Sequence, residues 1–242
     1  MKDSIIVIPV RMGSKRFPGK PLININGKSM VNCVWENAKK ANVGDVIVAC
    51  CDNIIEEHLI KKKIPYVLTE KNLKSGTDRV YAALENSGKI NKYNYVVNLQ
   101  GDLPNISYLD IRKLVFLAKN RKSKIATLAT KILEKKKIYD ANIVKVALAK
   151  NSSFHNALYF SRAPIPFNSS NYFEHIGIYA YSFKALKKFI SLKQSELEKQ
   201  ESLEQLRALE NGFKIDVSLV KNVPFSIDTP KDLSNYLKFL KS

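Results

Sequence analysis

The chain has 242 residues, 45% of them hydrophobic, enough to bury one sizeable core, and 40 Lys and Arg against 22 Asp and Glu give a formal net charge of +18. No apolar run approaches the roughly 20 residues of a membrane span, and the apolar core of the first residues is short for a signal peptide. The reading is therefore a cytoplasmic protein without membrane insertion. Cys33, Cys50 and Cys51 include no CxxC spacing and support neither a disulfide framework nor a thiolate zinc site. The lysines are scattered without aromatic interleaving or a reading motif, which argues against a nucleic-acid partner despite the charge.

The first predicted strand is the apolar run "SIIVIPV" at 4–10, followed by the loop "RMGSKRFPGK" from Arg11 to Lys20. A helical pattern from Ser29 to Asn42 leads to a second strand, "DVIVACC" at 45–51, which ends in "CDN". "SGTDR" opens a helix over Thr77–Ser87, with Thr77 expected as N-cap and Asp78 favouring the helix dipole. The strand "YNYVVNLQ" at 93–100 runs into "QGDLP". Further strands are predicted at 124–132, 142–149, 174–182 and 214–221, and "SIDTPKDL" begins a last helix, with Thr229 as cap, Pro230 in the first turn and Asp232 completing a capping box.

Alternating strands and helices with continuous apolar strands predict an α/β fold whose sheet is buried on both faces. Paired strands without a helix between them, around "NIVKVALA" and "SRAPIPF", predict a small subdomain inserted at approximately 133–182 within a single domain spanning 1–242. In such sheets ligands bind outside the carboxyl ends of the strands. The Arg11–Lys20 loop, "CDN" and "QGDLP" all occupy such ends.

The loop fails two phosphate fingerprints. Gly13 and Gly19 are separated by five residues instead of four, Pro21 stands where a P-loop has Ser or Thr, and GxGxxG is absent. What remains is a glycine loop with Arg11, Arg16 and Lys20, suited to a polyphosphate held by side-chain charge, or else a solvated basic turn. Only seven of the 40 basic residues are arginine, so each Arg draws interest as a planar fork for phosphate or carboxylate. Arg79 is ill-placed in a helix's first turn and calls for an anionic ligand or another reason. Asp102 suits a Mg²⁺ ligand beside a polyphosphate but equally reads as a turn-forming Asp. Asp228 is free of capping duty and reads as a second metal ligand or as part of the helix entry. Strand alternation puts His175, Gly177 and Tyr179 on one face, a polar pocket wall or a satisfied core histidine. Glu204 and Arg207 form an i,i+3 pair that reads as a surface ion pair or part of a site.

Taken in order, "VIPVRMGSKRFPGKPLININGKSM", "SGTDRV", "VVNLQGDLP", "NIVKVAL", "ALYFSRAPIPF", "HIGIYAY", "LEQLRALENGFKI" and "IDTPKDL" resemble the 3-deoxy-manno-octulosonate (Kdo) cytidylyltransferases from end to end. The resemblance implies a three-layer Rossmann-like nucleotide-diphospho-sugar transferase fold with a mostly parallel mixed sheet, and a homodimer. It implies synthesis of CMP-Kdo and pyrophosphate from CTP and Kdo for lipopolysaccharide, or activation of an 8-amino-Kdo or nonulosonic acid. By position it assigns Arg11, Ser14, Arg16, Lys20, Ser75 and Arg79 to CTP, and Asp102 and Asp228 to Mg²⁺. Gln100, Arg162, His175, Tyr179, Glu204 and Gln205 fall to the sugar acid; Arg11, Lys20, Asp102 and Asp228 would carry catalysis. The chain departs from the family pattern at Leu103, where Gly-Asp-Glu-Pro has its glutamate, and at "ACCDN", which keeps only Asp52 of Ala-Thr-Asp-Asp. The segment between "RAPIPF" and "HIGIYAY" is also shorter.

Overall fold

The computed structural model describes residues 3–14, 16–89, 92–150 and 154–241. They divide into two compact units: the residues up to Arg112 with those from Pro224 onward, and Lys113–Val223. The segment expected at 133–182 lies inside the second.

The first unit opens with β1 (Ser4–Pro9), whose six residues are all buried. Asn26 and Gly27, both at positive φ, turn β2 (Asn24–Ile25) back onto β3 (Lys28–Ser29), as the Asn-Gly pair favours. Helix α1 (Met30–Ala41) is capped by the Ser29 hydroxyl and ends at Asn42 in the left-handed region. β4 (Asp45–Cys50), α2 (Asn53–Lys61) and the short β5 (Tyr66–Leu68) follow, then α3 (Gly76–Asn86) and β6 (Tyr95–Leu99). β5 has only three residues and no alternation, so periodicity could not reveal it.

These strands are parallel in the order β5, β4, β1, β6, with Val7 opposite both Ile47 and Asn98. Parallel register sends the loops after β1, β4 and β6 off one edge of the sheet. The three polar loop starts identified from sequence are thereby gathered.

Helix α4 (Tyr108–Arg121) carries the chain onward. The second unit contains β7 (Ile125–Lys131), α5 (Lys135–Ile138), β8 (Lys145–Lys150), β9 (His155–Ser161) and β10 (Phe173–Ser182). It continues with α6 (Phe183–Ile190), α7 (Glu196–Glu201), α8 (Leu206–Glu210) and β11 (Ile215–Val220). β7 lies between β10, antiparallel, and β11, parallel; β11 pairs antiparallel with β9, and β9 with β8. Parallel and antiparallel ladders are thus mixed, as the family resemblance implied.

The chain returns to the first unit for α9 (Pro230–Phe239), with Thr229 and Asp232 forming the expected capping box. Ile227 and Tyr236 join Ile25 and Met30 in a buried cluster, against which Phe17 of the cation loop and Leu233 pack. One expectation needs correction. Ser75, not Thr77, caps α3, forming a capping box with Asp78. Thr77 is buried, and its hydroxyl oxygen accepts from Asn98 Nδ2 at 3.2 Å.

Candidate active site

The loop after β1 lines a cleft of about 520 Å³ in the first unit, together with Ser75, Gly76 and Arg79 at the start of α3 and Gln100–Asp102 after β6. That volume is ordinary for a small-molecule site. Arg11 and Arg16 are exposed, and Lys20 is set deeper. The loop is shaped by its own backbone: Ser14 and Gly19 N–H both donate to the Met12 carbonyl, and Ser14 Oγ accepts from Phe17 N–H at 3.3 Å. Gly19 has φ +74°, where a side chain would be strained. At Gly101 a Cβ would come within 2.5 Å of Val10 Cγ1 and 3.2 Å of the Pro9 carbonyl, so this close approach of the two loops requires glycine.

Lys20 joins the two predicted acids. Its Nζ lies 2.8 Å from Asp102 Oδ2 and 2.9 Å from Asp228 Oδ1, and Arg16 reaches the same Asp228 oxygen at 3.2 Å. The side chains are 14%, 23% and 35% exposed for Lys20, Asp102 and Asp228. Burial works against the ammonium, but Asp102 and Asp228 outweigh it and hold the Lys20 pKa above its ordinary value. Two carboxylates within reach of one cation suit Mg²⁺, which takes one or two carboxylates and completes its shell with phosphate oxygens and water. Among the described residues no three His, Cys, Asp or Glu side chains cluster to hold a metal. While the Lys20 ammonium occupies both carboxylates, an ion here would depend on a bound polyphosphate.

The start of α3 offers backbone N–H groups and a positive dipole end to the cleft. Arg79 lines the cleft but is only 3% exposed; Nη1 donates to Thr69 Oγ1 and to the Glu70 carbonyl at 3.0 Å, and Nη2 to the Lys71 carbonyl at 3.5 Å. Bracing of the 69–71 loop is the further reason that its first-turn position required. Gln100 donates to Asn98 Oδ1 at 3.0 Å, and Asn98 in turn donates to Thr77, so a buried amide chain orients the Gln100 side chain.

Arg162, His175, Tyr179, Glu204 and Gln205 fall in the second unit. Arg162 donates from Nε to the Glu201 carbonyl and from Nη1 to the Ala141 carbonyl, both at 2.9 Å. Its backbone N–H donates to the Glu201 carboxylate, and its carbonyl accepts from the buried Lys145 ammonium. The guanidinium is thus firmly oriented, with part of its donor edge already engaged. His175 and Tyr179 have ring centroids 5.3 Å apart, with Phe160 edge-on to His175 at 4.9 Å. Desolvation pushes the His175 pKa down to about 3 and raises that of Tyr179 well above its usual range. Gln205 is buried at the start of α8. Arg207 pairs chiefly with Glu198, through Nε at 2.7 Å and Nη2 at 2.5 Å, while Glu204 lies 3.7 Å away. The i,i+3 ion pair expected from sequence is therefore the weaker contact.

Sequence reasoning placed Asp52 at the end of a strand but gave it no role, and it did not single out several other supporting residues. Asp52 Oδ2 accepts the Met12 N–H at 2.9 Å, pinning the cation loop to the end of β4. Asn98, Thr127, Lys145 and Glu201 were also missed, because neither a strand nor a helix pattern carries a signal for which polar residue meets which partner. Asn98 and Lys145, each a polar residue within an apolar run, were findable. Leu103 belongs to the buried apolar core, so that departure from the family pattern places a hydrocarbon beside Asp102 in sequence.

The cytidylyltransferase family model matches residues 5–215. A 3-deoxy-manno-octulosonate cytidylyltransferase from Bartonella henselae is 44% identical over 98% of both chains. One from Rickettsia prowazekii is 39% identical over 99% of this chain and 96% of its own. A solved CMP:2-keto-3-deoxy-manno-octonic acid synthetase in complex with CTP superposes with a TM-score of 0.90 at 34% identity, covering 98% of each chain. A 4-diphosphocytidyl-2C-methyl-D-erythritol synthase from Anaerococcus prevotii, 15% identical with a TM-score of 0.64 over 100% of this chain and 99% of its own, shares the fold.

Proposed function

This chain belongs to the 3-deoxy-manno-octulosonate cytidylyltransferases, and on that footing we propose that it transfers the cytidylyl group of CTP to Kdo, giving CMP-Kdo and pyrophosphate for lipopolysaccharide assembly. The observation that carries the reading is the cleft in which Arg11, Arg16 and Lys20 face the start of α3 beside Asp102 and Asp228.

In this reading the anomeric hydroxyl of the sugar acid attacks the α-phosphorus of CTP in line. A new P–O bond forms as the bond from the α-phosphorus to the oxygen bridging it to the β-phosphate breaks. Pyrophosphate leaves with the electron pair of that broken bond, and the proton of the attacking hydroxyl passes to solvent. Arg11, Arg16, Lys20 and Ser14 hold the phosphate chain, and the fixed cations meet the charge that accumulates on the departing group. Asp102 and Asp228 would hold Mg²⁺, which when bound supplies further positive charge against the phosphate oxygens. The attacking oxygen belongs to the substrate, so no side-chain nucleophile is required. Gln100, Arg162, His175, Tyr179, Glu204 and Gln205 orient the sugar acid. Arg162 is the residue for its carboxylate, through guanidinium hydrogens not given to the Glu201 and Ala141 carbonyls. The enzyme works as a cytoplasmic homodimer, and among the described residues no helix is long and apolar enough to cross a membrane.

The test is pyrophosphate release from CTP and Mg²⁺ with Kdo, 8-amino-Kdo or a nonulosonic acid as acceptor. Release with Kdo is expected. Release with only one of the others would reassign the acceptor, and release with none would remove the reading.

A further inference from the structure

In a regular strand, residues four apart on one face stand about 13 Å from each other. His175 and Tyr179 do not, because β10 bulges between them. His175 is paired with Ala129 and Tyr179 with Thr127, so four residues of β10 span two positions of β7, and the two rings come to 5.3 Å.

The hydroxyl of Thr127, wholly buried, lies in this bulge. Its oxygen is 2.7 Å from the Ile178 carbonyl, 3.3 Å from the Ile176 carbonyl and 3.0 Å from His175 Nε2. A hydroxyl has one proton, and a carbonyl can only accept. If Nε2 were the acceptor, the proton would go to it and the Ile178 carbonyl would face a lone pair at 2.7 Å. The arrangement closes without conflict in one way. Thr127 donates to Ile178, and His175 Nε2–H donates to Thr127. No hydrogen bond to His175 Nδ1 is formed among the described residues, and the Tyr179 hydroxyl beside it is buried without a hydrogen-bond partner there.

We infer that Thr127 is a positioning residue that locks His175 in the Nε2–H tautomer, leaving Nδ1 as a pure acceptor for a hydroxyl of the sugar acid and not for its carboxylate. The hydroxyl assignment rests on the proposed sugar-binding role of His175; the tautomer lock does not. Desolvation of the partly buried imidazole lowers its pKa to about 3 and keeps it neutral at working pH.

The experiment is two-bond ¹H–¹⁵N correlation on the full chain labelled with ¹⁵N-histidine, with His58→Gln and His155→Gln variants assigning the signals. The wild type is expected to show His175 protonated at Nε2 alone. Thr127→Ser should preserve that state, and Thr127→Val should mix or reverse the tautomers and raise the KM for the sugar acid about tenfold with the KM for CTP unchanged. A wild-type His175 protonated at Nδ1, or a tautomer indifferent to Thr127→Val, overturns the lock. If Thr127→Val does not fold, the wild-type and Thr127→Ser spectra still decide. A tautomer that moves while the sugar-acid KM does not would overturn the hydroxyl assignment and the placing of His175 in the sugar pocket, while the lock itself stands.

Discussion

Lys20 and Asp102, 82 residues apart in the chain, meet through Nζ and Oδ2 at 2.8 Å, and the same ammonium holds Asp228 at 2.9 Å. Lys20→Met leaves two carboxylates facing each other without their shared cation. The expected cost is roughly 1–3 kcal/mol, read as a lowered Tm. Mg²⁺ added without nucleotide should raise the Tm of this variant more than that of the wild type, and an equal shift in both proteins would contradict the shared site. The pH dependence follows from the raised pKa. The lysine's contribution is complete below its ordinary value of 10.5 and is lost as pH climbs through the higher folded value. The stability gap between wild type and Lys20→Met should therefore stay flat from pH 6 to pH 9 and narrow only above about 10.5.

Asp102→Asn and Asp228→Asn should each cost turnover on the order of a thousandfold while leaving the far-UV circular dichroism unchanged. Helix α9 keeps its cap through Thr229 and Asp232 in either variant. Near-wild-type kcat in Asp228→Asn would reduce Asp228 to a counter-ion for Arg16 and Lys20.

Asp52 works on the cation loop through Met12. Asp52→Ala removes the acceptor for that N–H and should raise the KM for CTP about fivefold, equivalent to roughly 1 kcal/mol, with kcat little changed. Asp52→Asn keeps an acceptor oxygen and should behave nearly as wild type. Equal defects in both variants would mean that the charge, and not the hydrogen bond, is what the loop requires.

Arg79 separates bracing from phosphate binding. Because its buried guanidinium holds Thr69, Glu70 and Lys71, Arg79→Met should lower stability by about 2–4 kcal/mol in denaturant titrations. Arg79→Lys should recover only part, since one ammonium cannot serve the same spread of acceptors. A variant of unaltered stability with a large rise in CTP KM would point to direct phosphate contact instead.

The alternation of apolar strands and helices, the cations of Arg11–Lys20 and the acids at 102 and 228 were legible in the sequence, because each is carried by local composition and spacing. Parallel register then had to bring the loops after β1, β4 and β6 to one edge, as strand order allows. The meeting of Lys20 with both acids was not legible, since pairing across such separations depends on how Ile227, before α9, and Tyr236, within it, pack with Ile25 and Met30. Nor could strand alternation reveal the bulge that halves the register distance between His175 and Tyr179. That spacing is set by the partner strand. Local spacing in the chain thus determined which chemical groups were present and on which elements. Only the tertiary structure decided which atoms meet, because hydrogen bonds and ion pairs require positions within about 3 Å that no single element fixes.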